Sequence, residues 1–174
     1  MAATIPAGEF CFDTISYVPE HKSRLSLTEL LSLLNSRLLD WYFRLGSSNS
    51  KVNEYQFNNL PVPSFSERQP QDGAVAARIL ALVDEGSHEE AFQQVRRHCS
   101  TPPFGGVVRL TLAGLAERII AAETRRGPIS RRQRAQLSDG ADALQRLIDR
   151  ILFTLAGIDD DEAERLGRRL EAML

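Results

Sequence analysis

The segment from Leu27 to Leu45 constrains the fold more than any other, because its apolar residues recur at helical spacing. These residues are Leu27, Leu30, Leu31, Leu34, Leu38, Trp41, Tyr42 and Leu45. A period of 3.6 residues predicts an amphipathic helix, and Gly46 is a typical residue for its end. Leu33, Leu39 and Phe43 widen the stripe beyond one face. We therefore expect one long helix, buried between a sheet and a second layer, with Trp41 in the core.

Strand-like segments on both sides of this helix favour an α+β first domain over residues 1–66. Residues 10–18 mix large apolar and small polar side chains and end at Pro19, a pattern typical of one or two short strands. Residues 52–62 predict irregular or short-stranded backbone. Pro61 and Pro63 predict an extended segment that leads out of the first domain, which we call the exit, because proline cannot donate a ladder hydrogen bond. The expected domain is a small mixed subdomain built around the long helix.

The remaining residues, 67–174, read as a mainly α-helical region. Asp72 is a predicted cap for its first helix, which ends near Gly86, and Ser87 and Glu90 have the spacing of a capping box for the next. Two longer helical patterns cover residues 107–126 and 130–156, and a last helix follows Asp159. The sequence thus predicts two domains, 1–66 and 67–174.

The charge balance argues against a free-standing nucleic-acid-binding protein. The 174 residues carry 21 basic and 23 acidic side chains, for a formal charge of -2. A recognition module joined to a basic catalytic domain can still borrow its phosphate affinity and supply only base contacts. Lys22 and Lys51 are the only lysines. The arginine excess is consistent with nucleic-acid contacts and equally with a GC-rich genome.

The cysteines and the hydropathy of the sequence indicate the compartment in which the protein is expected. Cys11 and Cys99 are the only cysteines and have no metal-ligand spacing, so we expect neither a disulfide framework nor a structural zinc site. The first residues lack the pattern of a signal peptide, and no apolar run has membrane-spanning length. We expect a cytoplasmic protein with no membrane partner.

Two stretches carry a family resemblance. The first is LLSLLNSRLLDWYF over Leu30–Phe43, followed by Ser48–Ser50, Val52–Gln56 and NLPVP over Asn59–Pro63. This order resembles the C-terminal specificity domain of TaqI-like and type IIG adenine-specific DNA methyltransferases of restriction–modification systems. It is also similar to target-recognition domains of type I specificity subunits. The second stretch, Ile148–Ile158 with the acidic residues after it, resembles the tail of many such methyltransferases, although Phe153 and Ala156 replace the usual tyrosines.

The resemblance implies that the chain is a recognition segment and not a complete enzyme. Its parent would transfer a methyl group from S-adenosylmethionine to adenine in double-stranded DNA, with or without a fused nuclease. No glycine-rich cofactor loop is evident, and Thr101–Phe104 only mimics the catalytic Pro-Pro motif of such enzymes. We therefore expect no catalytic residue, no metal and no cofactor in these residues. The expected partners are double-stranded DNA and the parent's N-terminal methyltransferase domain.

The loop over residues 47–59 supplies most of the candidate DNA contacts. Asparagine and glutamine amides can pair bidentately with adenine, and cationic side chains with guanine or phosphate. Arg131 and Arg132 belong to the densest basic stretch, Arg125–Arg134. The candidate DNA-binding residues are Asn49, Lys51, Asn53, Tyr55, Gln56, Asn58, Asn59, Arg131 and Arg132. An ordinary polar loop and arginines near helix ends are the alternative interpretations.

A competing hypothesis is a helical module that assembles the subunits of a restriction–modification complex and does not read bases. A single basic face continuous with residues 47–59 would favour DNA recognition. Scattered arginines around an apolar patch would favour protein assembly.

Overall fold

The computed structural model describes residues 23–46, 58–126 and 139–171, and these residues form a helical assembly. The described helices, in chain order, are α1 (Leu27–Leu34), α2 (Arg37–Gly46), α3 (Asp72–Asp84), α4 (His88–Arg96), α5 (Gly106–Arg126), α6 (Asp139–Leu155) and α7 (Asp160–Glu171).

Helix α5 is the centre of the assembly, because α1, α3 and α6 all pack against it. Its 21 residues include Val108, Leu112 and Leu115, which are no more than 1% exposed. Thr111 is also buried, and its hydroxyl donates to the Val107 carbonyl at 2.8 Å, so its polar atom is satisfied. The α6 residues Leu147, Ile148, Ile151 and Leu152 join the same core. The core therefore lies between α5 and the helices around it.

The α+β fold class predicted from the sequence is wrong for the residues that the structure describes, which contain no sheet. The extended exit after Leu60 forms one isolated parallel bridge, Phe65 with Phe104. Pro61 and Pro63 cannot donate, and this explains why the bridge does not extend back along the chain. The strands predicted over residues 10–18 lie outside the described residues.

The single long helix predicted over Leu27–Leu45 is in fact two helices separated at Asn35 and Ser36. The Ser36 hydroxyl donates to the Leu33 carbonyl at 2.6 Å and accepts the Leu39 N–H at 3.2 Å. It therefore closes α1 and caps α2, a use of serine that competes with a continuous helix. Periodicity cannot detect this break, since the apolar spacing continues across it.

The helix ends follow capping rules at some predicted positions and depart from them at others. Gly86 and Gly157 have φ values of 81° and 72°, so they end α3 and α6 in the left-handed conformation that favours glycine. Asp159 and Glu162 exchange capping hydrogen bonds at the start of α7. Ser87 makes no side-chain capping bond, so the predicted box at α4 is absent. A capping box does form between Ser26 and Glu29.

The helices of residues 23–46 pack directly on those of the C-terminal region. Helix α1 lies against α5, and α2 lies against α6 and α7. The predicted domain boundary at residues 66 and 67 stays a prediction. No helix among the described residues is long and apolar enough to cross a bilayer.

Candidate functional site

The candidate DNA-binding loop lies between two described parts of the chain. Asn58 and Asn59 are exposed at its C-terminal end. The other candidates lie outside the described residues: Asn49, Lys51, Asn53, Tyr55, Gln56, Arg131 and Arg132. We call residues 47–59 the polar segment. In the chain, it follows α2 and precedes the extended residues that lead to Gln69.

Helix α2 is attached to α6 at its first turn. The Arg37 N–H donates to Oδ1 of Asp149 at 2.9 Å across 112 positions of sequence. The Gln145 amide donates to the Asn35 carbonyl and to the same Asp149 oxygen, both at 3.4 Å. We call Asn35, Ser36, Arg37, Gln145 and Asp149 the α2 anchor. It brings together the two stretches that carry the family resemblance.

Asp149 of the α2 anchor is a buried carboxylate, and its burial costs free energy. The residue is 4% exposed, and burial raises the pKa of its carboxyl to about 6. The Arg37 N–H, Gln145 and the Arg37 charge each lower this pKa, but they do not offset the burial. Oδ2 has no hydrogen-bond partner among the described residues, and the Arg37 Nε lies 3.8 Å from it. The carboxylate therefore costs stability in its charged form.

Helix α7 comes close to Arg37 at Gly167. Gly167 is buried, and a Cβ built on it would lie 3.2 Å from the Arg37 Nη1. A side chain at this position would require the Arg37 guanidinium to shift by a few tenths of an ångström. Glycine thus allows α7 to approach the anchor closely.

A second polar cluster holds the exit that follows the polar segment. Glu29 on α1 is 3% exposed, and its two oxygens accept from Arg109 Nε and Nη2, each at 3.0 Å. Arg68 Nη2 donates to the same carboxylate at 2.8 Å, and the Ser26 N–H at 2.7 Å. We call Ser26, Glu29, Arg68 and Arg109 the exit anchor. It ties α1, the exit and α5 into one unit.

The exit anchor keeps Glu29 ionised despite its burial. Burial acts to raise the pKa of Glu29, whereas the hydrogen bonds from Arg109, Arg68 and Ser26 lower it by more. The pKa of Glu29 therefore lies below its usual range. This is the opposite outcome to that at Asp149, because Glu29 has two guanidinium donors and Asp149 has none that bonds to it at short range.

Backbone pairing and aromatic packing complete the attachment of the exit. The Ser66 N–H donates to the Phe104 carbonyl at 2.9 Å, and the Phe104 N–H donates to the Ser64 carbonyl at 2.8 Å. The rings of Phe65 and Phe104 meet edge to face with centroids 6.4 Å apart. The Arg109 guanidinium lies 5.8 Å from the centre of the Phe65 ring. Phe104 is the last residue of Thr101–Phe104, the stretch that mimics a catalytic motif. Its side chain packs against Phe65.

Two further arginines, Arg118 and Arg150, connect helices. Arg118 on α5 binds both carboxylate oxygens of Asp84 on α3, at 2.7 and 2.6 Å. Arg150 on α6 donates to Glu89 on α4 at 2.6 Å, and its guanidinium lies 3.9 Å from the centre of the Phe92 ring. These contacts explain the role of both arginines without a ligand.

The apolar surface next to the polar segment is more exposed than periodicity predicts. Tyr42 is 44% exposed and Leu45 is 61% exposed, and the two lie one turn apart on α2. Val62, just after the polar segment, is 48% exposed. Trp41 is only partly buried, so its predicted core position is wrong, while Leu39 is 4% exposed.

Sequence reasoning missed the anchors. Ser26 and Glu29 have the Ser-x-x-Glu spacing of a capping box, a signal that was available, but their arginine partners come from 39 and 80 positions away. Asp149 stands within the second resembling stretch, yet no local pattern pairs it with Arg37. The described residues contain no group of three His, Cys, Asp or Glu side chains suited to a metal ion.

An open groove of about 350 Å³ lies between α1, α3 and α5. Small side chains form much of its lining, and Arg68 and Glu117 supply charged groups. Arg68 already binds Glu29. Comparisons of the chain with models of protein families, with curated proteins and with solved structures give no match.

Proposed function

We propose that this chain is the target-recognition and C-terminal helical region of an adenine-specific, S-adenosylmethionine-dependent DNA methyltransferase of a restriction–modification system. Recognition of the DNA sequence is assigned to the polar segment. Methyl transfer belongs to the parent's N-terminal domain in the cytoplasm. The observation that carries the proposal is the contact between Arg37 and Asp149, because it joins the two stretches that resemble this family.

The anchors suit a recognition role because base reading requires donors and acceptors held in fixed positions. The α2 anchor and the exit anchor restrain the chain on both sides of the polar segment. Asn53, Gln56 and the exposed Asn58 and Asn59 are the side chains proposed to pair with adenine edges. Lys51, Arg131 and Arg132 are proposed to contact guanine or phosphate, and Asn49 and Tyr55 complete the proposed surface.

The net charge suggests which part of the parent protein supplies affinity for DNA and which supplies sequence discrimination. With a net charge of -2, the chain contributes little attraction to a polyanion. Affinity for phosphate is then supplied by the methyltransferase domain, and this region contributes the difference between one sequence and another.

A second candidate function is assembly of the enzyme's subunits or domains without base reading. It is favoured by the exposed Tyr42 and Leu45 on α2 and by the arginines that bind carboxylates within the chain. Such a module would present an apolar patch to its partner and would need no free cationic face.

DNA binding by the full-length parent protein distinguishes the two. Its target is first identified by mapping methylated adenines, and dissociation constants are then measured on target and random duplexes over a salt series. Asn53→Ala or Gln56→Ala should cost about 1–3 kcal/mol on the target with little change in salt slope. Arg131→Ala should weaken both duplexes and reduce the slope by about one.

Matched controls are available on other surfaces. Gln71 is exposed and makes no side-chain capping bond, and Arg97 is exposed at the C-cap of α4. Gln71→Ala and Arg97→Ala should leave binding unchanged. If Asn53→Ala, Gln56→Ala and Arg131→Ala behave like these controls, base reading by the polar segment is wrong and the assembly function is favoured.

A further inference from the structure

We infer that Asp149 is a positioning residue for sequence recognition: by accepting the Arg37 N–H, it fixes the direction of α2, the helix that precedes the polar segment in the chain. This inference rests on the proposed function for its effect on DNA. Its effect on α2 is independent of that function.

The core contacts of α2 include those of Leu38 and Leu39, near its first turn. Among the α2 side chains whose burial the structure describes, Leu39 is the only one that is buried. Tyr42 and Leu45, on the outer part of the helix, are exposed. Leu38 also packs against the core, partly buried. Such packing leaves α2 some freedom to tilt and rotate, because apolar packing is not directional. A directional hydrogen bond at its first turn removes this freedom.

Asp149 provides attachment to α6 and is not needed for helix formation. The local N-cap of α2 is already supplied by Ser36, whose hydroxyl accepts the Leu39 N–H. Asp149 binds a different amide, that of Arg37, and comes from another helix. Gln145, one turn before Asp149 on α6, donates to the Asn35 carbonyl and so holds the residue that ends α1. Together the two α6 side chains fix the corner between α1 and α2.

The charge on Asp149 is faced by few groups. Arg37 on α2 is the charged group placed next to it, and Gly167 of α7 lies close to that guanidinium. Toward α4, the neighbouring Arg150 is engaged by Glu89 and Phe92. Among the described residues Oδ2 has no hydrogen-bond partner, and burying such a carboxylate lowers the stability of a fold. Its directional hold on α2 is the benefit that we assign to it.

The test uses the full-length protein and two readouts. Amide hydrogen exchange of residues 37–45 reports how firmly α2 is held, and the ratio of dissociation constants on random and target DNA reports sequence reading. Asp149→Ala should speed exchange of the α2 amides about tenfold or more and reduce the ratio by a similar factor. Asp149→Asn keeps an oxygen acceptor for the Arg37 N–H, so it should restore both values to near wild type.

Two further variants separate positioning from general destabilisation. Arg150→Ala breaks the neighbouring contacts of α6 with Glu89 and Phe92 but leaves the anchor intact, so it should lower stability without changing α2 exchange or the DNA ratio. Gln145→Ala removes one member of the anchor and should act like Asp149→Ala but more weakly, which keeps the test decisive if Asp149→Ala does not fold.

The outcomes are distinct. Unchanged α2 exchange in the Asp149→Ala and Gln145→Ala variants overturns the inference, as does a loosened α2 with an unaltered DNA ratio. If the wild-type protein shows no preference between target and random DNA, the proposed function fails. The exchange data alone then decide whether Asp149 holds α2.

Discussion

Arg109 and Glu29, 80 positions apart, are joined by two parallel hydrogen bonds of 3.0 Å each. This bidentate geometry is the strongest form of ion pair between side chains. Because Glu29 is almost completely buried and Arg109 is only 15% exposed, neither group can be well solvated if the other is removed. The pair therefore links α1 to α5, and loss of either partner should lower the stability of the protein.

Glu29→Ala should destabilise the protein by about 3–5 kcal/mol, since it leaves the Arg109 charge buried without its partner. Urea denaturation of the variant measures the loss. Glu90→Ala, at an exposed glutamate on α4, is the control and should change stability by less than about 0.5 kcal/mol. Equal effects of the two substitutions would contradict the role of the exit anchor.

Asp149 should make the protein less stable as the pH rises. Its pKa of about 6 in the folded state exceeds the ordinary 3.8, so the folded state binds the proton more tightly. The stabilisation is present at low pH and is lost as the pH rises through about 6, by about 3 kcal/mol in all. Asp149→Asn removes this contribution.

The contribution of Asp149 is measured as the difference between wild type and Asp149→Asn at each pH. Other carboxylates act in the opposite sense, because the pKa values of Glu29, Asp84 and Glu89 are lowered by their arginine partners. Taking the difference cancels them. The variant should be the more stable protein at pH 7, and the gap should close toward pH 4. A gap that is constant across this range would show that the Asp149 pKa is not raised.

A side chain at Gly114 should fit only if Leu80 moves, whereas Gly73 should accept one. A Cβ at Gly114 would collide with Cδ1 of Leu80, where α5 crosses α3. Gly114→Val should therefore cost about 1–3 kcal/mol from overpacking. No atom lies within 4 Å of a Cβ built at Gly73 on α3, so Gly73→Val should stay within about 0.5 kcal/mol of wild type. Thermal unfolding of the two variants gives the comparison, and equal midpoints would show that the helix crossing adjusts freely.

Leu39 and not Trp41 should dominate the packing of α2. Leu39→Ala should cost about 2–5 kcal/mol because the side chain is 4% exposed within the core. Trp41 is partly exposed, so Trp41→Ala should cost less than the roughly 3–5 kcal/mol of a fully buried aromatic. Tyr42→Ala, at a residue 44% exposed, should have the smallest effect. Chemical denaturation ranks the three, and a largest loss at Tyr42 would contradict the packing described.

Periodicity predicts most of the helices, because each buries an apolar stripe. The stripes of α3, α5 and α6 and the glycines at 86 and 157 place those elements near their observed positions. The same signal failed at Asn35 and Ser36, where a hydrogen bond from one hydroxyl decides between one helix and two. Local propensity also predicted a sheet. Among the described residues, however, the exit forms a single bridge, between Phe65 and Phe104.

The anchors could not be predicted from spacing, because each depends on partners brought together by the fold. Arg68 and Arg109 meet at Glu29 only once α1 lies on α5. Similarly, Arg37 and Asp149 were visible as members of two separate resembling stretches, and only the packing of α2 on α6 makes them neighbours. The residues proposed to read DNA follow from the resemblance and stay predictions.

On the ribosome, Arg37 is synthesised long before its partner, since Asp149 follows 112 residues later. At about 5–20 residues per second, translation of that stretch takes roughly 6–22 s. Throughout this interval the Leu39 side chain and the first amide of α2 lack their final surroundings, however quickly the individual helices form. The docking of α2 on α6 therefore waits until Asp149 has been synthesised.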